Sequence, residues 1–189
     1  MGGRLAYEMA RQLRERGEDV GLLVVIDARG RDEVPAEEME AEVVLEFAGH
    51  LTRLSGLHPR AAEVLEYVDA AELAAVLEER PGADSALDAE ACAELRTLWT
   101  TFARNRRASR GYVPQPLDGS LVLLRAAEGP PGQEEDLGWR GLARSGVEVY
   151  EVPGDHFSLV AMPHVEHLAA RLRALLTRAR SGASLQKAG

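Results

Sequence analysis

The sequence predicts an α/β fold built on a mostly parallel sheet and interrupted by a helical insertion. Three observations carry this. An amphipathic stretch, Arg4 to Arg16, is followed after a Gly17 stop by a continuous apolar run from Val20 to Ile26, which is the helix–turn–buried-strand order of a crossover unit. Strand signals then disappear over residues 32–110, where apolar residues recur at helical spacing. They return at Leu121 to Leu124 and at Val147 to Val152, with helical segments after each. The expected organisation is an α/β core from 1–31 and 111–180, a helical insertion over 32–110, and a flexible tail over 181–189.

Taken in order, the first helix places Leu5, Ala6, Met9, Ala10 and Leu13 on one face, with Glu8, Arg11, Glu15 and Arg16 around the other. Val20 to Ile26 is continuous rather than alternating, so it reads as a strand buried on both faces, ending at Asp27. In the insertion, Met39, Val43, Val44, Phe47, Leu51 and Leu54 form one stripe. Leu73, Val76 and Leu77 form a second, and Leu95, Leu98, Trp99 and Phe102 a third. Breaks fall at Gly56 to Pro59 and at Pro81-Gly82. Tyr112-Val113-Pro114-Gln115-Pro116 is extended, because proline disfavours helix in the residue before it. Leu121 to Leu124 is a buried strand, and Leu137 to Ala143 reads as a short helix. Val147, Val149 and Val152 alternate with Glu148, Tyr150 and Glu151, which suits a sheet edge. Val165, Leu168, Ala169, Leu172, Leu175 and Leu176 mark a final helix.

Composition narrows the function. The 189 residues carry a formal charge of −9, so phosphate backbones would be repelled and a nucleic-acid partner is not expected. No apolar run is long enough for a transmembrane helix, and no membrane partner is expected. Cys92 is the only cysteine, which rules out an internal disulfide and fits a reducing, cytoplasmic setting. The arginines at 104, 106, 107 and 110 complement a helix C-terminus by default; a role in meeting an acidic partner is the alternative. His164 and His167 are spaced i, i+3, but with no third ligand nearby they read as a solvated helix face rather than a metal pair. His50 and His58 read as surface residues of the insertion.

In an open parallel sheet, chemistry sits at the carboxyl ends of the strands. Asp27 ends the first apolar run, and His156 lies in a Gly154-Asp155-His156 turn after the edge strand. An acid and an imidazole at one sheet edge can meet, the acid orienting the ring and stabilising its cation. Asp155 is adjacent to the histidine and points away from it, so a turn role is expected for it.

Several segments, in order, resemble the thioesterase domains of polyketide synthases and non-ribosomal peptide synthetases. Met1-Gly2-Gly3-Arg4-Leu5-Ala6-Tyr7-Glu8 is similar to the stretch after the nucleophile in that family, Gly-x-Ser-x-Gly-Gly followed by a helix carrying Ala-Tyr-Glu. Leu23 to Asp27, Gly111 to Arg125, Asp136-Leu137-Gly138-Trp139 and Val152 to Ser158 resemble further family segments. With its acid after the first of these strands, the chain is more similar to the integrated terminal domains than to the free-standing editing enzymes. The resemblance implies the C-terminal part of an α/β-hydrolase fold, a three-strand parallel remnant with flanking helices and a helical lid. It implies Asp27 and His156 as catalytic acid and base, a nucleophilic serine immediately before Met1, and the Met1 backbone N–H in the oxyanion hole. It also implies a carrier protein bearing a phosphopantetheine thioester as partner, and no cofactor or metal. Release by hydrolysis or cyclisation follows, with negligible activity expected of the chain alone and association through an exposed sheet edge. A non-catalytic carrier-binding remnant and another esterase of the same fold are the alternatives.

Overall fold

A computed structural model describes residues 2–31, 43–44, 47–49, 51, 70–77 and 88–186. The chain divides into two compact units, Met1–Asp32 with Tyr112–Gly189, and Glu33–Gly111.

The first unit is a three-stranded parallel sheet in the order β1-β2-β3, with β1 at Val24–Ile26, β2 at Leu121–Ala126 and β3 at Val147–Val152. Ile26 pairs with Leu124, and Ala126 pairs with Val152, so the three carboxyl ends share one edge. The central strand explains why its sequence is apolar without alternation. Leu121 and Leu123 enter a core with Tyr7, Val25, Trp139 and Leu142. Val122, Leu124 and Ala126 enter a second core with Leu159, Leu168 and Leu175. Helix α1 (Gly2–Glu15) supplies Tyr7 to the first core, and the last helix of the chain (His164–Gln186) supplies Leu168 and Leu175 to the second.

Four local expectations are corrected. The first apolar run was expected to be a strand buried on both faces from Val20, but only Val24–Ile26 pair, and Ile26 is 37% exposed. Among the described residues its ladder lies on the β2 side only, which leaves it less enclosed than the central strand. Of the Leu5–Ala6–Met9–Ala10–Leu13 face of helix α1, Ala10 is buried and Ala6 packs on the core, while Leu5, Met9 and Leu13 are exposed; Arg4 and Tyr7 are the other buried residues. The reason is Tyr7, whose fully buried hydroxyl lies 2.8 Å from the carbonyl oxygens of both Gln115 and Leu142. Seating that buried hydroxyl against two backbone acceptors sets the rotation of the helix. Residues 137–143 form successive turns rather than a helix, since Leu137, Gly138 and Gly141 all have positive φ. The final helix runs on to Gln186, past Ser181, whose hydroxyl donates to the Thr177 carbonyl.

The next residue of α1, Glu8, holds the same extended segment from its other end. Its carboxylate accepts from the Tyr112 hydroxyl at 2.8 Å and from Arg11 at 2.8 and 2.9 Å. The Arg11 bond, above all, lowers the Glu8 carboxyl to about 2.

In the second unit, α2 (Ala70–Leu77) and α3 (Ala89–Gly111) pack together, and residues 43–44, 47–49 and 51 are helical. Asp88 caps α3 by accepting the Ala91 N–H at 2.8 Å. Val44, Phe47, Leu51, Leu73, Val76, Cys92 and Leu95 form the core, with Trp99 and Phe102 each 5.3 Å from the Phe47 ring. Met39, Leu54, His50, His58 and both expected breaks lie outside the described residues. The final helix of the first unit is α4 (His164–Gln186).

Replacing Tyr7 with phenylalanine keeps the ring and removes the hydroxyl, leaving the Gln115 carbonyl without it. A loss of about 1 kcal/mol is expected, at the level of one buried hydrogen bond, measured by urea denaturation.

Candidate active site

The carboxyl edge of the sheet places Asp27 and His156 together. Asp27 directly follows β1 and has φ 41°, a conformation that non-glycine residues seldom adopt. Its backbone N–H still donates to the Leu124 carbonyl at 2.8 Å, so the residue leaves the sheet at a defined point. Its carboxylate then divides its work. Oδ1 accepts the Ala126 N–H at 2.8 Å, and Oδ2 lies 2.8 Å from His156 Nδ1.

The histidine is carried by a loop that closes on itself. Asp155 Oδ1 accepts the N–H groups of Phe157 and Ser158, each at 2.8 Å, while the Ser158 hydroxyl accepts the Asp155 N–H at 2.8 Å. Asp155 therefore builds the turn. The Gly154 carbonyl accepts the Glu128 N–H at 3.0 Å, which ties the loop to the end of β2. Gly154 has φ 96°, and a Cβ there would fall 2.1 Å from His164 Nδ1. The Phe157 ring stands edge-on to the imidazole at 5.0 Å and limits its swing.

Exposure separates the two roles. The Asp27 side chain is 14% exposed and that of His156 is 55% exposed. Burial works against ionising Asp27 and is the largest single influence on it. The His156 hydrogen bond, the Ala126 N–H and the charges of His156 and Arg125 outweigh it, and the carboxyl sits below its ordinary value. The hydrogen bond to Asp27 raises the His156 imidazole above its ordinary value, with burial opposing. With Nδ1 committed to the acid, Nε2 has no hydrogen-bond partner among the described residues and is the nitrogen able to take a proton.

Met1 lies outside the described residues. His164 and His167 sit in the first turns of α4; His164 Nδ1 is buried and unpartnered beside Gly154 of the His156 loop, and His167 is exposed. Among the described residues no group of three or more His, Cys, Asp or Glu side chains is placed to hold a metal ion. Two contributors escaped the sequence reading, the Ala126 N–H and the charge of Arg125. Only the β1–β2 register brings them to Asp27, and nothing in the local sequence announces it.

An α/β fold with a buried acid orienting an imidazole at the carboxyl edge of its parallel sheet is the arrangement used by hydrolases of the α/β-hydrolase type. The thioesterase-domain family model matches residues 1–176, and the chain belongs to that family. It is 29% identical over 187 residues to chondramide synthase cmdD of Chondromyces crocatus, covering 91% of this chain and 5% of that protein. It is 30% identical over 189 residues to the non-reducing polyketide synthase atnG of an Arthrinium species, covering 95% of this chain and 9% of that protein. Among solved structures it is similar to holo-AB3403, a four-domain nonribosomal peptide synthetase bound to AMP and glycine. The identity there is 27% and the TM-score 0.69, over 92% of this chain and 14% of that one. The NocB thioesterase domain, in covalent complex with a fluorophosphonate nocardicin G analogue, shares the fold at 21% identity and TM-score 0.58, over 93% of this chain and 62% of that one. The chain thus spans under a tenth of the length of these two curated relatives.

The pair sets a pH window for stability. The raised imidazole contributes stability that is complete below its ordinary value of 6.5 and fades as pH climbs through the raised value. The lowered carboxyl contributes stability that is complete above its ordinary value of 3.8 and fades as pH falls through the lowered value. The destabilisation caused by His156→Gln is expected to be largest between those two ordinary values and to shrink above and below, as followed by thermal melts across pH.

Proposed function

We propose that Asp27 and His156 are the acid and base of a thioesterase that releases an acyl or peptidyl chain from the phosphopantetheine thioester of a carrier protein. The observation that carries this reading is the 2.8 Å Asp27–His156 contact at the carboxyl sheet edge of a thioesterase-family chain. His156 Nε2 takes the proton of a serine hydroxyl as that oxygen attacks the thioester carbonyl. Asp27 steadies the resulting imidazolium, and backbone N–H groups, with that of Met1 among them, hold the developing oxyanion. The proton then passes to the departing thiolate. Water, or a hydroxyl or amine of the bound chain, resolves the acyl-serine as an acid or a ring. The helical unit at Glu33–Gly111 is assigned the part of a lid over the acyl chain. Relatives that are large synthases support a carrier protein as partner. The buried, unpaired Cys92 fits a cytoplasmic setting.

Within the 189 residues no serine stands in a Gly-x-Ser-x-Gly arrangement. The chain by itself is therefore expected to hydrolyse an acyl-pantetheine thioester no faster than buffer does, in a thiol-release assay. Turnover by the chain that disappears in His156→Ala would overturn this. With a serine-bearing segment supplied, turnover that His156→Ala and Asp27→Ala leave intact would overturn the assignment of the pair.

Among the described residues β1 is bonded on one side only, and Leu5, Met9 and Leu13 are 60%, 57% and 40% exposed along α1. An open strand edge beside exposed apolar side chains favours association. The isolated chain is expected to self-associate in sedimentation velocity, and a monomer with a sharp two-state melt would contradict this.

A further inference from the structure

The turn at 136–140 is not part of the acid–base pair, yet it is unusually well determined. Asp136 is 4% exposed, and its two carboxylate oxygens accept the N–H groups of Gly138 and Arg140, each at 3.1 Å. This folds the backbone back so that Trp139 points inward, fully buried, its ring 5.0 Å from that of Tyr7. Core packing alone would account for the ring. It would not account for where the polar groups go.

The indole N–H donates 2.7 Å to the carbonyl of Ala28, the residue after Asp27 and 111 positions away in the chain. The neighbouring Leu137 carbonyl accepts the Gly30 N–H at 2.9 Å. Gly30 packs so closely that a Cβ there would lie 2.7 Å from the Gly138 carbonyl oxygen. Between these two bonds, the Arg29 carbonyl accepts from Arg4 Nε at 3.1 Å. Each of the three residues after the acid therefore has a main-chain polar group fastened to the body of the unit. The acid itself is at φ 41°, a conformation that persists only when its surroundings over-determine it.

We infer that Trp139 is a positioning residue for Asp27, its indole N–H holding the 28–30 segment so that the Asp27 carboxylate meets both Ala126 N–H and His156 Nδ1. The proposal rests on the Asp27–His156 pair being the acid and base. Releasing the Ala28 carbonyl lets Asp27 relax toward ordinary backbone angles. Its carboxylate then withdraws from the imidazole, while the core keeps most of its contacts if the ring is replaced by another aromatic.

The test follows the His156 imidazole by NMR titration in the full chain, with no activity required. In the unaltered protein the imidazole is expected to titrate above the ordinary 6.5, held up by its hydrogen bond to Asp27. In Trp139→Phe, which keeps an aromatic ring and loses the donor, it is expected to fall by roughly half a pH unit or more. Leu142→Ala, which opens a cavity in the same core, is expected to lower the melting temperature and leave the titration in place. If Trp139→Phe does not fold, the benzothiophene isostere of tryptophan at position 139 removes the N–H and preserves the shape. A folded variant lacking the donor with an unchanged His156 titration overturns the proposal, as does an equal fall in Leu142→Ala. An imidazole that titrates at or below 6.5 in the unaltered protein would instead overturn the acid–base pair on which the proposal rests.

Discussion

The hydrogen bond from the Ala126 N–H to Asp27 Oδ1 is the constraint on which the candidate site depends. In the β1–β2 ladder, the Val122 N–H donates to the Leu23 carbonyl, and the Asp27 N–H donates to the Leu124 carbonyl. Advancing that pattern by two residues at a time, the Ala126 N–H would next meet the carbonyl of Asp27. It meets the side chain instead. The carboxylate thus stands in for its own carbonyl as the chain turns out of the sheet, and φ 41° is the backbone angle that accompanies the exchange. A shift of one residue in the register would break this contact and turn the β1 side chains to the opposite face.

From that contact the two halves of the site acquire different characters. Oδ1 is spent on the sheet, so only Oδ2 remains for the imidazole, and its direction is fixed by the strand rather than by a free rotamer. Asp27 is largely buried while His156 is mostly exposed, so the carboxylate holds the ring from within and the imidazole faces the open edge. The histidine needs a loop equally well defined. Asp155 and Ser158 provide it locally, and the Gly154 carbonyl anchors it to the residues just beyond β2. Both members of the pair are thereby referred to one strand, Leu121–Ala126, which is also the strand buried on both faces.

How much of this the sequence disclosed differs element by element. The apolar run at 121–124 was legible because a central parallel strand must be apolar on both faces, and Leu121, Leu123, Val122 and Leu124 do divide between two cores. The run at 20–26 looked the same, but Val20 to Leu22 lie outside the ladder, since apolar content does not report which backbone groups find a neighbour. The turns at 137–143 were misread because helical spacing says nothing of φ, and Gly138 and Gly141 are used at positive φ. Of the stripe on α1 only the two alanines reach the core, because one tyrosine hydroxyl with two backbone acceptors outweighs the average apolarity of a face. Asp27 and His156 stood out by their places after strands. Their supports did not, because Ala126, Arg125 and Trp139 reach Asp27 or its loop only through contacts across about a hundred residues of chain.

Three other acidic residues near the site are held differently from Asp27. Asp136 uses both oxygens on the N–H groups of its own turn, and Arg140 Nε lies 3.1 Å from one of them. Asp155 uses its Oδ1 on two N–H groups of its own loop. Glu128 gives its backbone N–H to the Gly154 carbonyl and so serves as scaffold for the histidine loop. The first two carboxylates act locally, closing a turn within a few residues. Asp27 does the opposite: both of its oxygens act across 99 and 129 residues, joining the end of one strand to the next and then to the loop beyond the third. That long reach is what holds the imidazole in place. It is available only to a residue at the point where a strand leaves the sheet, with one oxygen able to replace a ladder bond and the other left to face the open edge.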